Sequence, residues 1–79
     1  MYIVSQDKKT IFNANKVLGY SLDEYAYEID ALYDGGDTQT IAEYSDYKRA
    51  YNAFQGLMQV LQNGYQDTLY YMPPNGEDD

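Results

Sequence analysis

The chain has 79 residues, 13 acidic side chains against 5 basic ones, and neither histidine nor cysteine. At that length it forms one domain. Disulfides and Cys/His zinc sites are excluded, and a net charge of −8 lacks the basic footprint of a nucleic-acid or anionic-membrane binder. With no cross-link available, dense aromatic packing or oligomerisation has to support so small a core, and the 11 tyrosines supply the first.

Tyr2-Ile3-Val4 is a β-rich run that meets Thr10-Ile11-Phe12 across the polar stretch Gln6-Asp7-Lys8-Lys9, which predicts a hairpin. The N-terminus lacks the basic region and long apolar stretch of a signal peptide, and no apolar run approaches the ~18 residues of a membrane span, so a cytoplasmic protein is expected. Lys16 to Tyr20 predicts a third strand, with Gly19 as a bulge or a close backbone approach.

Residues 21–34 fit two patterns. As a strand, Tyr25, Tyr27, Ile29, Ala31 and Tyr33 share one face and Ala26, Glu28, Asp30, Leu32 and Asp34 the other. As a helix, Ser21 and Glu24 make a capping box and Leu22, Tyr25, Ala26, Ile29 and Leu32 line a stripe. A strand is favoured because Asp30 and Asp34 oppose the dipole at a helix C-terminus and Asp34-Gly35-Gly36-Asp37 is hairpin chemistry, with 38–44 as the partner strand.

Ser45 as N-cap, Asp46 in the first turn and Asn63-Gly64 as a stop predict a helix over 46–63. Its apolar stripe is Tyr47, Ala50, Tyr51, Phe54, Leu57, Met58 and Leu61. Asn52, Gln55, Gln59 and Gln62, beside Ala53, Gly56 and Val60, form an uncharged outer stripe that a second subunit could meet. Residues 68–72 predict a last strand ended by Pro73-Pro74, and 75–79 an acidic frayed tail. The expected organisation is a single α+β domain over 1–74, an antiparallel β-meander of four to six strands with one helix packed on one face.

The run Ile3-Val4-Ser5-Gln6-Asp7-Lys8-Lys9-Thr10-Ile11 with Asn13, the Glu43-Tyr44 entry to a helix carrying Arg49-Ala50, and the closing Tyr71-Met72-Pro73 resemble small proteins common in Gram-positive bacteria and their phages and mobile elements. The resemblance implies a hairpin and meander, one helix and a short last strand, a strand over 25–34, and a mobile-element setting. It brings no catalytic residue. The tyrosine density and the acidic middle of the chain depart from that group's pattern.

Charge is unevenly spread. Residues 1–16 hold three lysines against one aspartate, a balance of +2; residues 17–47 hold eight acids and no base, −8; residues 48–79 hold two bases against four acids, −2. Histidine and cysteine chemistry is absent, Gly35-Gly36 lacks the Lys and Ser/Thr of a phosphate loop, and Arg49 is the one arginine. The pairs Asp23/Glu24 and Glu28/Asp30 are the remaining catalytic possibility and read as solvated faces, so no enzyme and no cofactor is expected. Asp30, Asp34 and Asp37 do not follow EF-hand spacing, and no metal site is expected.

Eleven rings exceed what a one-helix sandwich buries. Tyr25, Tyr27, Tyr33, Tyr47 and Tyr51 are assigned to the core, and Tyr20, Tyr44, Tyr65 and Tyr70 to the surface as contact residues. Glu24, Glu28, Asp30 and Asp34 avoid the apolar side under either pattern for 21–34. The expected partner-binding set is therefore Asp23, Glu24, Glu28, Asp30, Asp34, Asp37 and Glu43 with Tyr20 and Tyr44. Such an anionic face imitates a nucleic-acid backbone and suits the basic surface of a host nucleic-acid-binding protein, a CRISPR nuclease or another defence factor among them. No direct nucleic-acid or membrane binding is expected. The alternative expectation is a structural or regulatory module that self-associates, as a homodimer, through the helix or a sheet edge.

Overall fold

The computed structural model describes residues 1–64 and 69–76. In chain order the elements are β1 (Tyr2–Val4), β2 (Ile11–Asn13), β3 (Gly19–Asp23), β4 (Glu28–Leu32), β5 (Thr38–Glu43), α1 (Tyr47–Asn63) and β6 (Leu69–Tyr71), with 3₁₀ turns at Ala14–Lys16 and Asp34–Gly36. The fold is α+β, and its strands divide into two three-stranded sheets. Sheet A has the order β2-β1-β6 and sheet B is the meander β3-β4-β5. Pairing is antiparallel except between β1 and β6, which run parallel with Ile3 opposite Tyr70.

The first hairpin forms where expected, and its turn folds on its own side chains. Ser5 Oγ donates to Asp7 Oδ1 at 2.6 Å, the Lys9 N–H donates to the same oxygen at 2.9 Å, and the Thr10 N–H donates to Ser5 Oγ at 3.2 Å. Lys8 takes the left-handed conformation that closes the turn, at φ 63°. Gln6 points away from the hairpin and ties the sheets together. Its backbone N–H donates to the Ile41 carbonyl, its Oε1 accepts the Glu43 N–H at 2.9 Å, and its Nε2 donates to the Pro73 carbonyl at 3.2 Å.

The third strand starts at Gly19, not at Lys16. The Asn13 side chain accepts the Asn15 N–H and starts a 3₁₀ turn over the intervening residues. Residues 21–34 are neither one long strand nor a helix. Asp23 Oδ1 accepts the N–H groups of Tyr25 and Ala26, an Asx turn that reverses the chain, and Tyr27 completes it at φ 57°. Gly19 pairs regularly with Leu32. The bulge falls instead in β5, where the register shifts between Ile29↔Ala42 and Asp30↔Thr40 and leaves Ile41 as the extra residue. That shift lets Ile41 and Ala42, neighbours in sequence, both turn into the core.

Asp46, not Ser45, is the N-cap of α1: its carboxylate accepts the Arg49 N–H at 2.8 Å and pairs with the Arg49 guanidinium at 2.6 Å. Gly64 ends the helix in the left-handed conformation, as the sequence predicts. The buried face of α1 is Ala50, Ala53 and Leu57, flanked by Phe54, Val60 and Leu61. Tyr47, Tyr51 and Met58, placed in the stripe from sequence, are exposed, and Tyr47 stacks on Tyr51 at 5.8 Å between ring centroids. Ala53, Gly56 and Val60 face the protein because small side chains let the helix approach the sheets. A Cβ on Gly56 would stand 3.3 Å from the Tyr70 hydroxyl.

The core joins Ile3 of sheet A, Ile29, Ala31, Ile41 and Ala42 of sheet B, the three buried helix residues, and Met1, Tyr44 and Met72. Beyond β6 the chain stays attached, since Asn75 Oδ1 accepts the Ser45 N–H at 2.9 Å; the tail expected from residue 75 is tied there. Residues 77–79, Tyr65 and Thr68 lie outside the described residues. No described helix is long and apolar enough to cross a membrane.

Candidate functional site

The register of sheet B assigns each of its side chains to a face. Tyr20, Leu22, Ile29, Ala31 and Ala42 point to the helix side. The opposite face presents three cross-strand rows: Asp23–Glu28–Glu43, then Ser21–Asp30–Thr40, then Gly19–Leu32–Thr38. Strands lie ~4.8 Å apart and residues on one face repeat every ~6.8 Å, so the four carboxylates sit together at one end of the sheet.

These carboxylates are not equivalent. The two backbone N–H groups on Asp23 hold its carboxyl below the usual aspartate range. Partial burial, followed by the negative charges of Glu43, Asp30 and Asp23, pushes the Glu28 carboxyl above the usual glutamate range. One oxygen of Asp30 is shut off from solvent without a hydrogen-bond partner. Like charges directly opposite one another destabilise a sheet, and this sheet sets three in a row.

Of the remaining expected site residues, Glu24 is exposed in the β3–β4 turn and adjoins the acidic row. Asp34 and Asp37 belong to the turn at the other end of β4, ~14 Å away along the strand. There Asp34 Oδ1 accepts the Gly35 N–H and the Asp37 carbonyl accepts the Tyr33 N–H. The acidic block thus splits into a cluster at one end of sheet B and a turn pair at the other. Asp30 is separated from Asp34 and Asp37, and the described residues gather no three acidic side chains into a group able to hold a metal ion.

Tyr20 and Tyr44 do not join this face. Tyr44 is 7% exposed and donates its hydroxyl to the Pro73 carbonyl at 2.8 Å; burial, with Tyr70 beside it, raises its pKa. Tyr20 lies on the helix side, where burial and then neighbouring Tyr33 push its hydroxyl up to about 12. With Phe54, Leu57, Met58 and Leu61 it lines an apolar groove of about 180 Å³, and its hydroxyl has no hydrogen-bond partner. Among the described residues the exposed tyrosines are Tyr2, Tyr25, Tyr47, Tyr51 and Tyr71, so three of the rings assigned to the core are outside. Strand alternation hid the first of these, since Tyr25 falls in the Asx turn where parity no longer applies, and the helical stripe hid Tyr47 and Tyr51.

A second surface, absent from the expected set, covers the outside of sheet A. Tyr2, Ile11, Leu69 and Tyr71 are 50%, 61%, 47% and 54% exposed and share the face of Val4. The sequence signal for it was present. Tyr2-Ile3-Val4, Ile11-Phe12 and Leu69-Tyr70-Tyr71 are apolar at successive positions, not at alternate ones. No family model matches the chain, and comparison with curated proteins and with solved structures gives no match.

Proposed function

We propose that the chain is a non-enzymatic, acidic binding protein that acts inside a bacterial cell by seating the outer face of sheet B in the basic groove of a nucleic-acid-handling protein. The observation that carries this reading is the Asp23–Glu28–Glu43 row with Asp30 one step behind it. Asp23 also holds the β3–β4 turn, but a sheet selected for stability alone would hold threonine or opposite charge at Glu28, Asp30 and Glu43. Retaining facing carboxylates at a cost in stability is the pattern of a surface kept for an interaction. The groove of a nucleic-acid binder supplies the complementary Lys and Arg. In the mobile-element setting that the N-terminal motif implies, the partner class is a host defence factor.

The test is release of host proteins from immobilised duplex DNA. Low-salt addition of the parent chain is expected to displace a defined DNA-bound protein. Glu28→Lys with Glu43→Lys, which changes the net charge from −8 to −4, is expected to abolish the release. Asp34→Lys with Asp37→Lys makes the same change in net charge at the far end of the sheet and is expected to retain it. Equal loss in both double variants would mean that total charge acts and the face does not.

A further inference from the structure

Sheet B follows the rule for a sheet with one covered side, apolar toward the helix and polar outside. Sheet A does not. Its inner face gives Ile3, Phe12 and Tyr70 to the core, and its outer face carries Ile11, Val4 and Tyr71 in one cross-strand row and Asn13, Tyr2 and Leu69 in the next. Val4 is only 3% exposed yet stands apart from the core cluster, so its strand neighbours seal it on the outside. Strands apolar on both faces are the signature of a sheet covered on both faces, yet on the second face Tyr2, Ile11, Leu69 and Tyr71 stay about half exposed.

We propose that a second copy of the chain covers it, in a two-fold dimer with the outer faces of the two A sheets packed against each other. Four large side chains, each about half exposed, put roughly 400 Å² of apolar surface on this face, within the range of the largest patches on monomers. Two copies face to face bury about twice that, and the polar rim brings the total past the ~1,000 Å² that separates stable interfaces from incidental ones. Apart from Asn13 on the β2 edge the face is lined by tyrosine, isoleucine, leucine and valine, so a second copy meets it with the same apolar surface, as a two-fold interface requires.

Charge points the same way. Residues 1–16 carry the local balance of +2, with Lys8 and Lys9 at one end of the hairpin and Lys16 beyond the other. Two molecules of charge −8 therefore meet with least repulsion through this side. A two-fold axis along β1 lays the β2 edge of each copy over the β6 edge of the other. This dimer stands independently of the acidic face, which it leaves pointing outward.

Sedimentation of the full chain over the micromolar to millimolar range tests the proposal. The expected mass is twice 9.1 kDa at the upper concentrations. Ile11→Glu with Tyr71→Glu should weaken association roughly thirtyfold or more, as loss of central interface residues does. Leu18→Glu with Tyr25→Glu removes two exposed apolar side chains from the connections of sheet B, adds the same charge, and should leave the dimer intact. Circular dichroism checks folding, and Ile11→Thr with Tyr71→Thr, which keeps β-forming residues on the edge strands, gives the answer if the Glu pair fails to fold. A parent that stays at 9.1 kDa throughout, a dimer that survives both Ile11/Tyr71 pairs, or equal weakening by the Leu18/Tyr25 pair would each overturn it.

Discussion

Glu28 shows how a single side chain records a conflict in the fold. Its carboxyl is held above the usual value of 4.5 by partial burial and by three nearby acids, so the folded chain binds that proton more tightly than the unfolded chain does. The stability Glu28 contributes is therefore full below pH 4.5 and is lost as pH rises through the raised value. Glu28→Gln should leave the melting temperature unchanged near pH 3 and raise it by about 1 to 4 °C at pH 7. That range follows from a facing like-charge pair of ~0.2–1 kcal/mol, reduced by solvent screening. Coincident melts of parent and variant at pH 7 would contradict it. Asp7, Asp23 and Asp46 act with the opposite sign. Hydrogen bonds from Ser5 and Lys9 to Asp7, from Ala26 and Tyr25 to Asp23, and from Arg49 to Asp46 hold these carboxyls below 3.8. The stability they contribute is present above that value and lost as pH falls through the lowered values. Asp23→Ala should thus lower the melting temperature at pH 7, while Asp23→Asn, which keeps the acceptor for the turn, should lower it less.

At the level of elements, the helix packs through a face narrower and differently phased than its hydrophobic pattern suggests. Leu57 is 1% exposed and belongs to the core, whereas Met58 is 45% exposed. Leu57→Ala should cost roughly 2–5 kcal/mol in urea unfolding and Met58→Ala well under half of that; equal losses would return the helix to the phase read from sequence. The Gln6 side chain gives a second measurable joint. Gln6→Ala removes the hydrogen bonds to Glu43 and Pro73 that fasten β5 and the segment after β6 to the first hairpin, with an expected loss of about 1–3 kcal/mol. Local chemistry was legible in the sequence wherever one residue decides a conformation. The Gly64 stop, the Gly35-Gly36 turn and the Ser5–Thr10 hairpin all belong to that class. The inward positions of Ile29 and Ala31 and the outward positions of Glu28 and Asp30 also followed from alternation. What escaped depends on partners distant in sequence. Tyrosine is apolar enough to join any stripe and polar enough to leave it, so Tyr47 and Tyr51 shifted the apparent helix face. The Ile41 bulge reverses strand parity without a glycine to mark it, and the parallel pairing of β1 with β6 joins residues more than 60 positions apart.

Across the whole molecule, charge and apolar surface are segregated: lysines border the outer face of sheet A, while carboxylates crowd one end of the outer face of sheet B. A cationic groove therefore attracts the molecule by its sheet-B side, and a polyanion meets net repulsion as it approaches to within the screening length of ~8–10 Å. The basic patch does not reverse this. Lys8, Lys9 and Lys16 could neutralise about three phosphates, a contribution that falls with salt at a slope of about −0.9 per contact, while proteins with micromolar non-specific affinity make several more such contacts and carry no opposing charge of −8. The chain should accordingly form no complex with duplex DNA or single-stranded RNA in a gel shift, even at low salt. Glu28→Lys with Glu43→Lys, still at −4, should not create one. Micromolar binding of any duplex by the parent would remove the proposed function, because a surface that imitates a nucleic-acid backbone and the backbone itself repel.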